Sequence, residues 1–198
     1  MQTSYIFNKE ETDPQNYYWF ENGLNSNDIS KLFNGLKQLD FQEASVIGDG
    51  ESPDKSIRSS KVKWIPQTTE WDWLYEILLN LSAEANENSW KFDLQSATEE
   101  IQYTEYLATD DGHYDWHQDI GPGNPSLRKV SLTIQISDPS EYEGGDLELW
   151  MGGGNIIKSE RGLGVVTIFP SYMMHRVAPI TKGLRKSLVL WVGGEHYK

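Results

Sequence analysis

The stretch Gly112-His113-Tyr114-Asp115-Trp116-His117-Gln118-Asp119 decides how the rest of this sequence is interpreted. His117 and Asp119 are two residues apart, and residues at that spacing on a β-strand project from the same face. An imidazole and a carboxylate on one face can bind one metal ion together. They supply two of the three ligands of a facial triad of two histidines and one carboxylate. A second histidine further along the chain would complete such a site.

The composition favours one folded domain and excludes several kinds of site. A chain of 198 residues can bury a full core, so we expect a single domain over 1–198. The net charge of -13 argues against nucleic acid and anionic membranes as partners. The absence of cysteine excludes disulfides and thiolate ligands. The sequence has neither a signal-peptide pattern nor an apolar run of membrane-spanning length, and we expect a cytoplasmic protein of undetermined oligomeric state.

Two helices are predicted in the first half of the chain. Apolar residues recur at helical spacing over 29–39, after candidate N-caps at 26–28. A second apolar helical face runs over 71–85, and Thr69 with Asp72 resembles a capping box at its start. Both helices precede the stretch quoted above.

From Trp90 onward the apolar pattern has a period of two, which is typical of strands. Val130–Ile136 alternates apolar and polar residues and predicts a half-buried strand, whereas 40–60 is rich in glycine and polar residues and predicts a loop. The predicted strands are Ser59–Ile65, Ile101–Tyr106, Val130–Ile136, Asp146–Trp150, Gly164–Phe169 and Ser187–Val192. Helices followed by many short strands predict an α+β chain that ends in a sandwich or jelly roll.

Two downstream residues can complete a site around His117 and Asp119. His175 follows a predicted strand and can return to a neighbouring strand in a small barrel, although a lone histidine there is more often a hydrogen-bonded core residue. Arg185 opens an apolar strand, and its rigid fork suits a carboxylate to which Ser187 can add a hydrogen bond. The alternative for Arg185 is an ordinary surface arginine in a basic patch.

Four segments of the sequence carry a family resemblance. They are Tyr114-x-Trp116-His117-x-Asp119, Arg128-x-x-Ser131, Tyr142-Glu143-Gly144-Gly145-Asp146-Leu147 and His175-Arg176-Val177-x-Pro179-x-Thr181-x-Gly183-x-Arg185. Together they resemble the Fe(II)/2-oxoglutarate-dependent dioxygenase superfamily, and within it the prolyl-hydroxylase-like branch of bacterial and phage prolyl/lysyl-hydroxylase-type proteins. The resemblance is good over 100–192 and loose in the N-terminal half, where it rests on the helices and Arg58-x-Ser60.

The resemblance implies a fold and a set of site residues. The fold would be a double-stranded β-helix, or jelly roll, over 96–194, with helical support and loops over 1–95. The iron ligands and catalytic residues would be His117, Asp119 and His175. The residues that hold 2-oxoglutarate would be Arg185, with Ser187 and Tyr106 as helpers.

Other charged residues in this region have simpler interpretations. The sequence holds a second His-x-Asp copy at His113 and Asp115, and on the match to Trp-His-x-Asp we assign the metal to the copy at His117. Glu99 and Glu100 are adjacent on a strand and point apart, so they do not form a catalytic pair. Arg128 either lines the entrance, where it meets an acidic substrate group, or forms a structural salt bridge.

The resemblance also implies an activity, which is hydroxylation of a C–H bond with O₂ and release of succinate and CO₂. Ascorbate is a further candidate cofactor. The expected substrate is a residue of a protein or peptide, of prolyl type. The same chemistry on a free amino acid or small metabolite is one alternative, and a jelly-roll binding module without turnover is another.

Overall fold

The computed structural model describes residues 15–43 and 54–196, and within these ranges the chain has two α-helices and fourteen strands. The helices are α1 (Ser26–Leu36) and α2 (Asp72–Ser89). The strands are β1 (Tyr18–Phe20), β2 (Gln42–Glu43), β3 (Arg58–Ser59), β4 (Lys61–Ile65), β5 (Ser96–Ala97), β6 (Ile101–Leu107), β7 (His113–His117), β8 (Arg128–Gln135), β9 (Tyr142–Gly144), β10 (Leu147–Trp150), β11 (Ile156–Lys158), β12 (Val166–Pro170), β13 (His175–Val177) and β14 (Ile180–Gly193). Neither helix in the described part is long and apolar enough to cross a membrane.

The strands form two antiparallel sheets that face each other across a barrel interior. The large sheet has the order β1-β12-β8-β14-β6-β4-β2, and β5 and β9 also pair with β14. The small sheet has the order β11-β10-β13-β7-β3. Leu149 of the small sheet and Phe169 of the large sheet pack together between them. The predicted α+β jelly-roll core is confirmed, whereas the division into 1–95 and 96–194 stays a prediction.

Strand β8 lies in the middle of the large sheet and is covered on both faces. Leu132 and Ile134 pack against the helices in the main hydrophobic cluster, while Ser131 and Thr133 face the barrel interior. All eight residues of the strand are buried. The predicted half-buried strand was therefore wrong, because the small sheet covers the polar face that would otherwise meet water.

The N-cap of helix α1 is Asn25, one residue before the candidate caps at 26–28. The Asn25 side chain accepts hydrogen bonds from the backbone N–H groups of Asn27 at 2.8 Å and Asp28 at 3.2 Å. The Asp28 carboxylate accepts from the backbone N–H of Asn25 at 3.1 Å, which completes a capping box.

Helix α2 begins without a side-chain cap. Its N-cap is Trp71, which makes no side-chain capping bond, so the predicted capping box at Thr69 and Asp72 was wrong. The helix is instead held by packing, since Leu74 and Leu78 have no exposed surface and belong to the cluster under the large sheet. Tertiary burial stabilises most protein helices more than local propensity does.

The predicted strand Ser59–Ile65 divides at Ser60. Strand β3 before it pairs with β7 in the small sheet, whereas β4 after it pairs with β6 in the large sheet. The chain therefore crosses between the sheets at this point, a change of partner that a run of alternating residues does not reveal. The other five predicted strands form with shifted ends and correspond to β6, β8, β10, β12 and the second half of β14. Of the predicted loop at 40–60, residues 44–53 lie outside the described ranges.

The two helix starts give a paired stability test. We expect Asn25→Ala to lower the free energy of unfolding by about 1 kcal/mol, because two backbone N–H groups lose their acceptor. Thr69→Ala is the control and should stay within about 0.5 kcal/mol of the parent, because Thr69 caps no helix. Urea unfolding followed by circular dichroism measures both. Equal losses in the two variants would contradict the assignment of the caps.

Candidate metal centre and co-substrate pocket

His117 and His175 face each other across the small sheet. Strands β7 and β13 are antiparallel, and His175 lies directly opposite His117 in their register. The two imidazole ring centres are 4.2 Å apart. Directly opposed positions in an antiparallel pair place side chains on one face within contact distance, so two residues 58 positions apart in sequence arrive at one point.

Asp119 completes the cluster from just beyond the end of β7. The strand ends at His117, so the expectation that both residues lie on one strand was wrong. The Asp119 backbone N–H instead donates to the Ser171 carbonyl at 2.9 Å. Its carboxylate oxygens lie 3.6 Å from His117 Nε2 and 3.5 Å from His175 Nε2. The three ligand atoms all lie within 4.8 Å of one another, a spacing that one metal ion can bridge.

Backbone carbonyls fix which nitrogen each imidazole presents. His117 Nδ1 is 2.7 Å from the carbonyl oxygen of Asp115, and His175 Nδ1 is 2.8 Å from that of Met173. A carbonyl oxygen only accepts, so each Nδ1 carries the proton and donates it. The Nε2 lone pairs are then directed toward Asp119, as in metal sites whose histidines are oriented through their second nitrogen.

The charge state of the cluster suits a divalent cation. Burial and the neighbouring His175 lower the pKa of His117 to about 3, so its ring is neutral at pH 7. Burial alone would raise the pKa of Asp119, but the rings of His175 and His117 hold it below its ordinary value. A carboxylate beside a neutral imidazole is the protonation state that metal binding requires.

The second His-x-Asp copy points elsewhere. His113 Nδ1 lies 2.6 Å from the carbonyl oxygen of Asp111, and its Nε2 lies 3.2 Å from that of Ser56. Asp115 is exposed and accepts from the backbone N–H of Trp116 at 2.8 Å. Both ring nitrogens of His113 are thus engaged away from the cluster, as expected for the incidental copy.

Arg185 lies inside the barrel, within β14 rather than at its start. It has no exposed surface, so the alternative of a surface arginine in a basic patch was wrong. Its Nη1 donates to Ser187 Oγ at 3.2 Å, whereas Nε and Nη2 have no hydrogen-bond partner among the residues that the structure describes. Tyr106 is its register partner on β6, with the guanidinium carbon 5.5 Å from the ring centre. Unpartnered buried donors are costly, and a ligand carboxylate would satisfy them with charge-assisted bonds.

Gly145 of the Tyr142–Leu147 segment makes room for the stem of this arginine. Its φ of +65° lies in the left-handed region that favours glycine. A Cβ at this position would lie 3.0 Å from Arg185 Cδ and would also press on the side chain of Ile180. The double glycine in that segment therefore serves the pocket as well as the turn.

One cavity of about 290 Å³ joins the cluster to the guanidinium. Tyr106 and Ser187 line it too, so the six predicted site residues all border the same space. Sequence reasoning gave no site role to Arg58, which is buried beside the cavity with its guanidinium carbon 4.6 Å from the Tyr114 ring centre. It also missed Trp191 in the lining, which the alternation along β14 beyond Ser187 would have revealed.

Residues 101–193 match the family model described as "2OG-Fe(II) oxygenase superfamily". The match covers 93 of the 198 residues and includes His117, Asp119, His175 and Arg185. Fe(II) and 2-oxoglutarate, the metal and co-substrate that give the family its name, fit what the cavity offers. Two imidazoles and a carboxylate suit Fe(II), and the unpartnered donors of Arg185 suit a carboxylate.

Over about two fifths of its length the chain is similar to curated PKHD-type hydroxylases. A PKHD-type hydroxylase of Teredinibacter turnerae is 36% identical over 87 residues, which are 41% of this chain and 38% of that protein. A PKHD-type hydroxylase of Xylella fastidiosa is 42% identical over 77 residues, which are 37% of this chain and 33% of that protein. The matched part thus spans less than two fifths of these relatives.

Solved structures share the fold over most of the chain. A Pseudomonas putida prolyl-4-hydroxylase has a TM-score of 0.71 at 20% identity, and the superposition covers 90% of this chain and 93% of that hydroxylase. A prolyl hydroxylase from Trichoplax adhaerens, in complex with a hypoxia inducible factor peptide fragment, has a TM-score of 0.73 at 17% identity, with coverages of 90% and 83%. The viral collagen prolyl hydroxylase of Paramecium Bursaria Chlorella virus-1 has a TM-score of 0.62 at 16% identity, with coverages of 92% and 98%. At these identities the likeness shows the fold.

The two His-x-Asp copies can be separated by metal binding. We expect His175→Ala to weaken the binding of Mn(II), a probe that takes nitrogen and oxygen ligands, by at least about tenfold, because one of three ligands is lost. His113→Ala should leave the dissociation constant within about twofold, because both of its ring nitrogens face backbone carbonyls. Isothermal titration calorimetry gives both values. A loss in His113→Ala as large as that in His175→Ala would refute the assignment.

Proposed function

We propose that this chain is an Fe(II)- and 2-oxoglutarate-dependent hydroxylase that acts on a residue of a protein or peptide, of prolyl type. The observation that carries the proposal is the convergence of His117, Asp119 and His175 in the same cavity as an unsatisfied, fully buried Arg185. A metal-only site would not need the guanidinium, and a simple anion site would not need the triad.

The triad would hold Fe(II) on one face and leave its other positions free. His117 and His175 would bind through Nε2, and Asp119 through its carboxylate. When bound, iron and 2-oxoglutarate supply the oxidising chemistry, in which O₂ converts 2-oxoglutarate to succinate and CO₂ and hydroxylates a substrate C–H bond. The backbone carbonyls behind both imidazoles keep the rings from rotating and hold the proton of the neutral ring on Nδ1, so that Nε2 is free to bind a metal.

Arg185 would bind the distal carboxylate of 2-oxoglutarate at the closed end of the cavity. Its Nε and Nη2 are free to form two parallel bonds to one carboxylate, and the Ser187 hydroxyl already accepts from its Nη1. Tyr106 packs beside the guanidinium and limits its movement. Because this end of the barrel excludes water, the charged pair would be strong.

The similarity of the fold to prolyl hydroxylases supports a peptide substrate. The prolyl hydroxylases named above match nearly the whole described chain, and the one from Trichoplax adhaerens is in complex with a peptide. The lining of the cavity includes the aromatic side chains of Tyr114, Trp64 and Trp191, which suit an apolar ring such as proline. The cytoplasmic location and the use of ascorbate stay predictions.

The guanidinium fork can be tested separately from its charge. We expect wild-type protein with Fe(II) and 2-oxoglutarate, mixed without O₂, to develop a visible charge-transfer band. Arg185→Lys should raise the 2-oxoglutarate concentration at half-maximal band by at least about tenfold, because one charge-assisted bond of about 1.5–3 kcal/mol is lost. Lys182→Ala, an exposed position on the same strand, is the control and should not change it. A folded wild-type protein without the band would end the proposal.

The substrate class needs its own measurement. We expect succinate release to rise when proline-containing peptides are added, with the gain of one oxygen atom on proline seen by mass spectrometry. Free proline and other amino acids, offered at equal concentration, should give no more succinate than the enzyme with 2-oxoglutarate alone. Stimulation by a free amino acid and by none of the peptides would favour the small-metabolite alternative.

A further inference from the structure

The proposed function leaves the segment Arg128-x-x-Ser131 without a role. The contacts of this segment lead to Asp119, which lies two residues beyond the end of β7. There the hydrogen-bond ladder between strands no longer fixes the backbone, while both histidines of the cluster lie within strands. A carboxylate that is free to turn would bind a metal poorly, so other contacts must hold it.

Arg128 supplies one of these contacts from the large sheet. Its Nη1 donates to the backbone carbonyl of Asp119 at 2.9 Å. Its Nε and Nη2 donate to the Glu99 carboxylate at 3.1 and 2.8 Å. The guanidinium carbon also lies 3.9 Å from the ring centre of Trp191, and the residue is buried. A planar fork fixed on three sides is a rigid support for the carbonyl that it contacts.

A pair of serines supplies a second support. The Asp119 N–H donates to the Ser171 carbonyl at 2.9 Å. The hydroxyls of Ser171 and Ser131 lie 3.0 Å apart, and neither residue has exposed surface. Ser131 therefore reaches the Asp119 backbone through Ser171. The backbone of Asp119 is held at its N–H by Ser171 and at its carbonyl by Arg128, and neither residue is a ligand itself.

We propose that Arg128 and Ser131 are positioning residues for the carboxylate ligand Asp119, and that Glu99 fixes Arg128 in the orientation this requires. The inference rests on the proposed function in one respect, that Asp119 binds the iron. It predicts that metal affinity falls when the support is loosened even though all three ligands remain. Loss of such supporting contacts typically costs about 10–100-fold in metal affinity or activity.

A second group of one glutamate, one arginine and one tryptophan provides a matched control for Glu99, Arg128 and Trp191. Arg176 donates from Nε to Glu148 at 2.7 Å, and its guanidinium carbon lies 4.8 Å from the ring centre of Trp116. In this group, too, the arginine contacts both a glutamate and a tryptophan, and Arg176 is next to His175 in the sequence. No hydrogen bond joins it to Asp119 in the described structure, so its loss tests the effect of removing a partly buried ion pair alone.

The experiment compares Mn(II) dissociation constants of five proteins by calorimetry: wild type, Glu99→Gln, Arg128→Lys, Ser131→Ala and Glu148→Gln. Thermal unfolding of each metal-free protein shows whether it is folded. We expect Glu99→Gln and Ser131→Ala to weaken Mn(II) binding by about tenfold, and Glu148→Gln to stay within about twofold of wild type. Arg128→Lys, which keeps the charge and loses the fork, should behave like Glu99→Gln.

Two results would overturn the inference. One is that folded Glu99→Gln and Arg128→Lys bind Mn(II) as tightly as wild type does. A raised KM for the peptide in these variants would then make Arg128 a substrate contact. The other is an equal loss in Glu148→Gln, which would show a general effect of ion-pair removal. Failure of wild-type protein to bind Mn(II) would instead count against the proposed function, so the two failures are distinguishable.

Discussion

The antiparallel pairing of β7 with β13 is the contact on which the site depends. It sets His117 opposite His175, and no local feature of either segment could bring them together. The pairing also determines what the rings present, since each imidazole donates through Nδ1 to a carbonyl two residues before it. A shift of one residue in this register would turn one imidazole to the outer face of the sheet. The metal cluster is in this sense a property of strand register.

Much of this arrangement could be predicted from the sequence, and the failures have physical causes. The period of two from Trp90 onward predicted a sandwich or jelly roll, and the family resemblance added the roles of the histidines, the aspartate, the arginine and their helpers. The half-buried assignment of β8 failed because alternation reports the polarity of a face, and a second sheet can cover a polar face. Arg185 was placed at the start of a strand because the apolar run begins only at Leu188, whereas pairing with β6 and β9 extends the strand back to Ile180.

The barrel interior holds polar side chains where an ordinary core would hold apolar ones. Thr133, Ser187 and Arg185 line the cavity from the large sheet, and on the opposite faces of these strands Leu132, Ile134, Leu188 and Leu190 are buried in the cluster with the helices. Burying an arginine without a carboxylate partner costs free energy that the protein must recover elsewhere. The large cluster under α1 and α2 is the source available in the described structure. Stability is thus concentrated on one face of the large sheet, and ligand binding on the other.

The two sheets contribute different parts of the site, so its geometry depends on how they are joined. The small sheet carries both histidines, and the large sheet carries Arg185. The connections between the sheets include the chain itself at Ser60, between β3 and β4, and the hydrogen bond from Arg128 of β8 to the Asp119 carbonyl. Asp119 follows the small sheet but takes its support from the large one. The position of the Asp119 carboxylate therefore depends on the distance between the two sheets. A positioning network is most needed at this ligand.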